Sequence, residues 1–176
     1  HNSHKALKEV EVGVLKDQIK EINTKIDFLK IDTEGYDLFV LQGFDWETHK
    51  PSIIECEYED AKTLDLGYSW KDLANYLVDK GYFLLVSEWH PIIQYGVQHD
   101  WCCLKKYPCD LESNDSWGNI LAFDSADLCE EFESFFNPSS FEDYGVDPCF
   151  EGAEYNFSAA TDKPAIASPI RISRGI

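Results

Sequence analysis

The sequence predicts an α/β fold in which short buried strands alternate with helices. Two stretches of the chain share one order: an apolar run that fits a strand, then a polar turn, then apolar residues at helical spacing. Such repeated units favour a sheet of mostly parallel strands with helices on both faces. Ligands of these sheets bind beyond the carboxyl ends of the strands, so polar residues at those ends are the first candidates for a site.

The first unit follows a short amphipathic helix, which apolar residues at helical spacing predict between positions 15 and 22. Ile26–Ile31 is a mainly apolar run that fits a strand covered on both faces, and it stops at the turn Asp32–Gly35. The helix after this turn is short and ends at Gly43, since glycine commonly terminates helices.

The second unit contains the clearest helix of the chain. Its strand is the mainly apolar run Ile53–Cys56. Ser69 is placed to cap the helix in a capping box, and Gly81 stands where a terminating glycine is expected. Tyr82–Val86 and Trp101–Leu104 then favour two strands that pair as an antiparallel hairpin at the edge of the sheet.

Charge excludes two classes of partner. The chain of 176 residues has 33 acidic and 15 basic side chains and a formal net charge of −18, which repels phosphate backbones and anionic lipid surfaces. No apolar run approaches the roughly 20 residues that span a bilayer, and the N-terminus lacks the pattern of a secretory signal. We therefore expect no nucleic-acid or membrane partner.

The six cysteines do not predict a metal centre. They include no C-x-x-C pair, and the adjacent Cys102 and Cys103 would point to opposite faces of a strand. Their even number is compatible with disulfides, but a chain of this size with an ordinary core does not need such crosslinks. We therefore expect reduced thiols, which favour a cytoplasmic location, and no metal.

Acidic residues follow both predicted strands at the positions where ligands are expected. Asp32 and Glu34 come after the first strand, and Glu57, Glu59 and Asp60 surround the end of the second. Because the carboxyl ends of parallel strands share one edge of a sheet, these carboxylates are the first candidates for a functional site.

The residues around the first turn resemble a known family. The segment IDFLKIDTEGYDLFVLQGF, positions 26–44, is similar to the signature of FkbM-type methyltransferases. The following PSIIECEYED resembles the family's next strand with its terminal glutamate. The resemblance continues more loosely to position 107 and does not cover the tail.

The resemblance implies a Rossmann-like class I methyltransferase fold, whose sheet binds S-adenosylmethionine through a glycine-rich turn after its first strand. No G-x-G occurs in the chain, and the first predicted strand corresponds to the family's fourth. We therefore expect residues 1–107 to be the C-terminal half of this domain, with the cofactor-binding half upstream in the same protein and no activity in the chain alone. A non-catalytic acidic interaction module that lost the cofactor half is the alternative.

The remaining segment, 108–176, differs in composition, because acidic residues outnumber basic ones fourteen to three. One helix is predicted after Ser125, and Trp117–Leu121 is interpreted as a docking segment before it. The apolar face of this helix contains Leu128, Phe132, Phe135 and Phe136. We expect this acidic extension to pack on the domain or to lead to another one.

The resemblance also suggests roles for the carboxylates. The methyl group of the cofactor is already electrophilic, so the protein must align an acceptor oxygen and help remove its proton. By position, Asp32 resembles the residue that contacts the cofactor's amino-acid moiety or the acceptor; Glu34 is a second catalytic candidate, and Glu57 extends the pocket toward the substrate. Alternatively, Asp32 accepts turn amides, Glu34 stabilises the following helix N-terminus, and Glu57 belongs to a solvated edge.

Histidines and tryptophans near the hairpin are the second group of candidates. His90 is a candidate catalytic base near neutral pH, and His99 is a candidate substrate-binding residue. Trp89 and Trp101 suit stacking on a sugar ring. The alternatives are exposed turn histidines and ordinary aromatic packing at a sheet edge.

The expected function is O-methylation of a hydroxyl on a sugar, glycan or secondary metabolite, with S-adenosylmethionine as cofactor and a small molecule or glycan as acceptor. Two carboxylates at strand ends are also compatible with a divalent cation, although the resemblance does not imply one. An accessory domain of a different glycan-modifying enzyme is a third hypothesis.

Overall fold

The computed structural model describes residues 12–94 and 99–136, which form one five-stranded sheet with helices packed against it. The elements in chain order are α1 (Leu15–Ile19), β1 (Phe28–Ile31), α2 (Asp37–Gln42), β2 (Ile53–Glu59), α3 (Asp60–Thr63), α4 (Trp70–Asp79), β3 (Phe83–Trp89), β4 (Trp101–Lys106), β5 (Trp117–Phe123) and α5 (Ala126–Ser134). All strands and helices predicted from the two repeated units are present. The mixed α/β fold is therefore confirmed.

The strand order of the sheet is β1-β2-β5-β3-β4. β1 and β2 pair in parallel, whereas β5 is antiparallel to both of its neighbours, β2 and β3. β3 and β4 form the predicted antiparallel hairpin. β1, β2 and β3 all run in one direction, but only one pairing is parallel, because β5 separates β2 from β3.

The largest difference from the sequence analysis is strand β5. The segment interpreted as a docking piece, Trp117–Leu121, lies in the middle of the sheet and pairs along its whole length with β2 and β3. Ile120 and Ala122 are fully buried. The sheet therefore continues past the boundary predicted at residue 107 and up to α5, while positions 137–176 lie outside the described residues.

Helices cover the two faces of the sheet unequally. On one face, α2 and α4 enclose a core that includes Ile54, Cys56 and Val86. On the other face, α5 packs on a smaller cluster around Leu85. β1 was predicted to be covered on both faces, but its Phe28 is 49% exposed because α5 reaches only the opposite half of the sheet.

The predicted helix ends are confirmed for α4 and α5. Ser69 forms a complete capping box at the start of α4, and Gly81 after its end has a φ of 81°. Ser125 accepts a hydrogen bond from the Leu128 amide at the start of α5. The helix ends at Ser134, so the predicted apolar residues Phe135 and Phe136 lie beyond it and are exposed. Among the described helices, none has the length and apolar character needed to cross a membrane.

Candidate functional site at the carboxyl edge of the sheet

All the candidate residues lie at one edge of the sheet, where β1, β2 and β3 end. The strand register carries a continuous row across this edge, from Glu59 to Trp117, Trp89 and Trp101 on successive strands. Asp32 directly follows the last residue of β1. Both groups of candidates therefore lie at the same edge, beyond the carboxyl ends of the strands, where ligands of such sheets are expected.

The acidic cluster consists of Asp32, Glu34 and Glu57, whose carboxylate oxygens lie within 4.8 Å of one another. Lys62 compensates part of this charge, with its Nζ 2.7 Å from Glu34 Oε2 and 3.6 Å from Glu57 Oε2. Lys30 lies 3.9 Å from Asp32 Oδ2. The cluster can hold a cation or an ammonium group only in competition with these two lysines.

A buried aspartate that sequence reasoning missed fixes the geometry of the cluster. Asp37, fully buried at the start of α2, accepts hydrogen bonds from the Thr33 amide at 3.2 Å and the Thr33 hydroxyl at 2.9 Å. Its other oxygen accepts the Glu57 amide at 3.1 Å. One side chain thus joins the turn after β1 to the end of β2. The spacing of Thr33 and Asp37, four positions apart, was the only signal of this contact in the sequence.

The backbone of the turn is unusual at Glu34. Its φ is 54°, in the left-handed region that residues with a Cβ seldom adopt, and the next residue, Gly35, has a φ of 96°. The Glu34 carboxylate binds Lys62 and does not cap α2, for which Tyr36 is the N-cap. The geometry therefore does not support the alternative in which Glu34 caps the helix. Strain at an exposed carboxylate is typical of a functional turn.

The Asp32 carboxylate likewise does not stabilise the turn. The Thr33 amide, one of the turn amides available to Asp32 in the alternative interpretation, donates instead to Asp37. The Asp32 side chain is 49% exposed and faces Lys30. Its carboxylate is therefore free of the turn and accessible to a ligand.

The protonation of Glu57 is shifted toward neutral pH. Burial, together with the nearby charges of Asp32 and Glu34, raises the pKa of Glu57 to about 7 against the opposing effect of Lys62. Its side chain is 18% exposed, so it remains in contact with the edge. A carboxylate with such a pKa can accept a proton at neutral pH, which suits general base catalysis.

The aromatic cluster lies at the other end of the edge and consists of Trp89, Trp101, Trp117 and His99. The rings of Trp89 and Trp117 stack at 5.6 Å between centroids, and His99 meets Trp117 edge-on at 5.4 Å. Trp101 is the cross-strand neighbour of Trp89, and its Nε1 donates to Ser87 Oγ at 3.1 Å. Trp117 was not among the candidates, because its segment was not identified as a strand.

His90 contributes its backbone to this arrangement. Its carbonyl accepts a hydrogen bond from Trp117 Nε1 at 3.1 Å, and its amide donates to the Asp100 carbonyl at 3.0 Å. The side chain is exposed. These contacts explain the position of His90 without assigning a role to its imidazole, and its role as a base stays a prediction.

The two clusters are neighbours but do not form one compact pocket. β5 lies between β2 and β3, which places the end of β2 about 10 Å from the end of β3. Asp32 and His90, three strands apart, cannot share one proton directly.

This fold and site define an α/β protein in which carboxylates line the carboxyl edge of the sheet. Residues 4–84 match the family model of the methyltransferase FkbM domain, which confirms the resemblance. The match includes the acidic cluster and ends within β3, before the hairpin and β5. No curated protein and no solved structure matches the chain.

Proposed function

We propose that the chain is the C-terminal half of an S-adenosylmethionine-dependent methyltransferase that O-methylates a hydroxyl of a sugar, glycan or secondary metabolite. The observation that carries this proposal is the methyltransferase FkbM domain match, within which Asp32, Glu34 and Glu57 meet at the carboxyl edge. The raised pKa of Glu57 gives that edge a proton acceptor suited to neutral pH.

The sheet supports the proposal that another part of the same protein completes the domain. β1 is an edge strand, and its outer edge has no partner strand among the described residues. Phe28 on this strand is half exposed. Unpaired strand edges invite pairing with a further strand. A Rossmann-like class I sheet, continued by strands from the upstream half, would cover both features.

The residues fit one end of the cofactor and not the other. S-adenosylmethionine has an ammonium group and a sulfonium centre, and the carboxylates of Asp32 and Glu34 are suitable partners for positive charge. The glycine-rich turn that cradles the rest of the cofactor does not occur in the sequence. Asp32 is therefore the cofactor-binding residue that this half would contribute.

When bound, the cofactor supplies an electrophilic methyl group. The residues of this chain then have to orient the acceptor oxygen and take its proton. Glu57 is the strongest candidate for accepting the proton, because its pKa is about 7. Glu34 would orient the acceptor beside it, and His90 is the alternative base on the aromatic side.

The aromatic cluster supports a ring-shaped acceptor. Trp89 and Trp101 present aromatic surface at the edge, and His99 contacts the neighbouring Trp117. The apolar faces of sugars stack on such surfaces. The net charge of −18 disfavours nucleic acid and anionic membrane as partners, and we propose a cytoplasmic location.

Calorimetric titration of S-adenosylmethionine tests the proposal with two proteins, the 176-residue chain and the same chain with its native upstream sequence restored. Binding by the longer protein alone is the expected result. Methyl transfer to a panel of sugars and small hydroxylated acceptors then identifies the substrate class. Absence of binding by both proteins would overturn the proposal in favour of a non-catalytic module.

A further inference from the structure

A β-bulge in the hairpin brings two adjacent thiols together. Trp89 pairs with Trp101 and Glu88 pairs with Cys103, so Cys102 is the extra residue on β4. In a regular strand the side chains of residues 102 and 103 would point to opposite faces, but here their Sγ atoms are 3.4 Å apart. The sequence expectation for this pair is therefore wrong, and the bulge is the physical reason.

A buried carboxylate completes the cluster. Glu88 is 0% exposed, and its Oε2 accepts a hydrogen bond from Cys103 Sγ at 3.8 Å. Burial would raise the pKa of Glu88, but hydrogen bonds from Ser116, Lys105 and the Glu112 amide outweigh this effect and lower it. The carboxylate is therefore ionised beside the two thiols. It takes no part in the proposed methyl transfer.

The distances within this cluster match the ligand spacing of zinc. With Zn–S bonds of about 2.3 Å and tetrahedral angles, two ligand atoms lie about 3.5–3.8 Å apart. The separations found are 3.4 Å between the thiols and 3.8 Å from thiol to carboxylate, and the three atoms lie within 4.8 Å of one another. We propose that Cys102, Cys103 and Glu88 form a binding site for a soft divalent cation of the zinc class.

Charge balance supports this assignment. Glu88 is already paired with Lys105, whose Nζ lies 3.0 Å from Oε2 and 2.8 Å from Glu112 Oε1. A dication that replaces the protons of both thiols leaves the net charge around Glu88 and Lys105 unchanged. Both thiols have to lose their protons when a cation binds, so binding releases protons.

A further buried polar group beside the site has unused hydrogen-bonding capacity. The Tyr58 hydroxyl is buried and has no hydrogen-bond partner among the described residues. It lies on the same cross-strand row as Glu88, separated by Gly118, which has no side chain to fill the space. A water on the cation would have Tyr58 as a partner.

Titration of the reduced 176-residue chain with Co²⁺, a spectroscopic substitute for zinc, tests the site. We expect one Co²⁺ per chain, thiolate-to-cobalt charge-transfer absorption and the release of two protons per cation. Cys102→Ser and Cys103→Ser should each weaken binding at least about tenfold and reduce the absorption. Cys129→Ala, which removes a buried thiol from the other core cluster, is the matched control and should bind normally.

A second measurement needs no variant that risks misfolding. Zinc should slow alkylation of Cys102 and Cys103 in the unmodified chain, with the labelled thiols identified by peptide mass. Slower labelling of these two residues together with the charge-transfer absorption would support the site. No absorption with Co²⁺, or alkylation of both thiols unchanged by zinc, would overturn it.

Discussion

The acidic and the aromatic clusters occupy the same edge of the sheet but are built differently. The acidic cluster comes from one turn and the end of one neighbouring strand, lies within the FkbM match and is partly neutralised by Lys62. The aromatic cluster comes from the ends of β3, β4 and β5 and lies beyond the match. In the proposed function, the first cluster therefore supplies the reacting groups and the second binds the acceptor.

The largest effect is expected at Asp32. In the protein with its upstream sequence, Asp32→Asn should lower turnover on the order of a hundredfold if the carboxylate acts in the site. The free energy of unfolding should change by less than about 1–2 kcal/mol, because the side chain is half exposed and does not serve the turn. Initial rates and urea unfolding measure the two quantities. Wild-type turnover in this variant would remove Asp32 from the site.

Asp37→Ala, unlike Asp32→Asn, should mainly lower the free energy of unfolding. The change leaves the part-buried amides of Thr33 and Glu57 without their acceptor, which should destabilise the fold by about 1–3 kcal/mol. Asp37→Asn, which keeps one acceptor oxygen, is the control and should lose less. Chemical denaturation of both variants measures the difference. Equal stability of Asp37→Ala and wild type would mean that the acidic cluster is positioned by other contacts.

The aromatic cluster should affect substrate affinity more than turnover. Trp101→Ala is expected to raise KM for a sugar acceptor about tenfold with little change in kcat, because stacking surface is lost without loss of a reacting group. Trp101→Phe should retain most of the affinity. Steady-state kinetics with the acceptor found in the substrate screen provides the measurement. A fall in kcat at unchanged KM would place Trp101 with the reacting groups.

Glu57 should make the folding stability dependent on pH. Its pKa of about 7 in the folded state exceeds the ordinary value of 4.5, so the native state keeps a proton that the unfolded state has released. Stability should therefore fall as pH rises between these two values, and Glu57→Gln should lose this dependence. Asp37, whose pKa burial also raises, contributes equally to both proteins. Unfolding at about pH 5 and about pH 8 measures the difference.

The same residue predicts the pH dependence of the rate. If Glu57 is the base, kcat should rise as pH passes through about 7, since the carboxylate must be ionised to accept a proton. Glu57→Gln should be slow at every pH. An unchanged rise in this variant would transfer the role of base to His90.

The smallest effect is expected at Glu34. Glu34→Gly relieves the positive φ of 54° and should leave stability unchanged or higher by about 0.5–1 kcal/mol, despite the loss of the ion pair with Lys62. Glu34→Gln keeps the strain and removes the charge. Loss of activity in both variants would assign the function to the carboxylate, and full activity in both would limit Glu34 to a surface ion pair.

Local patterns accounted for most of the helices and for the acidic cluster. The capping box at Ser69 and the turn after β1 depend on residues a few positions apart, so the sequence displays them directly. The same holds for Asp32 and Glu34. Their proximity to Glu57 followed from the rule that parallel strands end at one edge, which the register of β1 and β2 confirms.

The sequence by itself determined the α/β class, the family resemblance and the edge that carries the site, because each depends on short-range periodicity or a contiguous motif. Only the tertiary structure decided three other features: the insertion of β5 between β2 and β3, the burial of Asp37 and the contact between Cys102 and Cys103. Each depends on pairing between residues distant in the chain. In the hairpin, a single extra residue in the register reversed the direction of a side chain that strand alternation alone would have predicted.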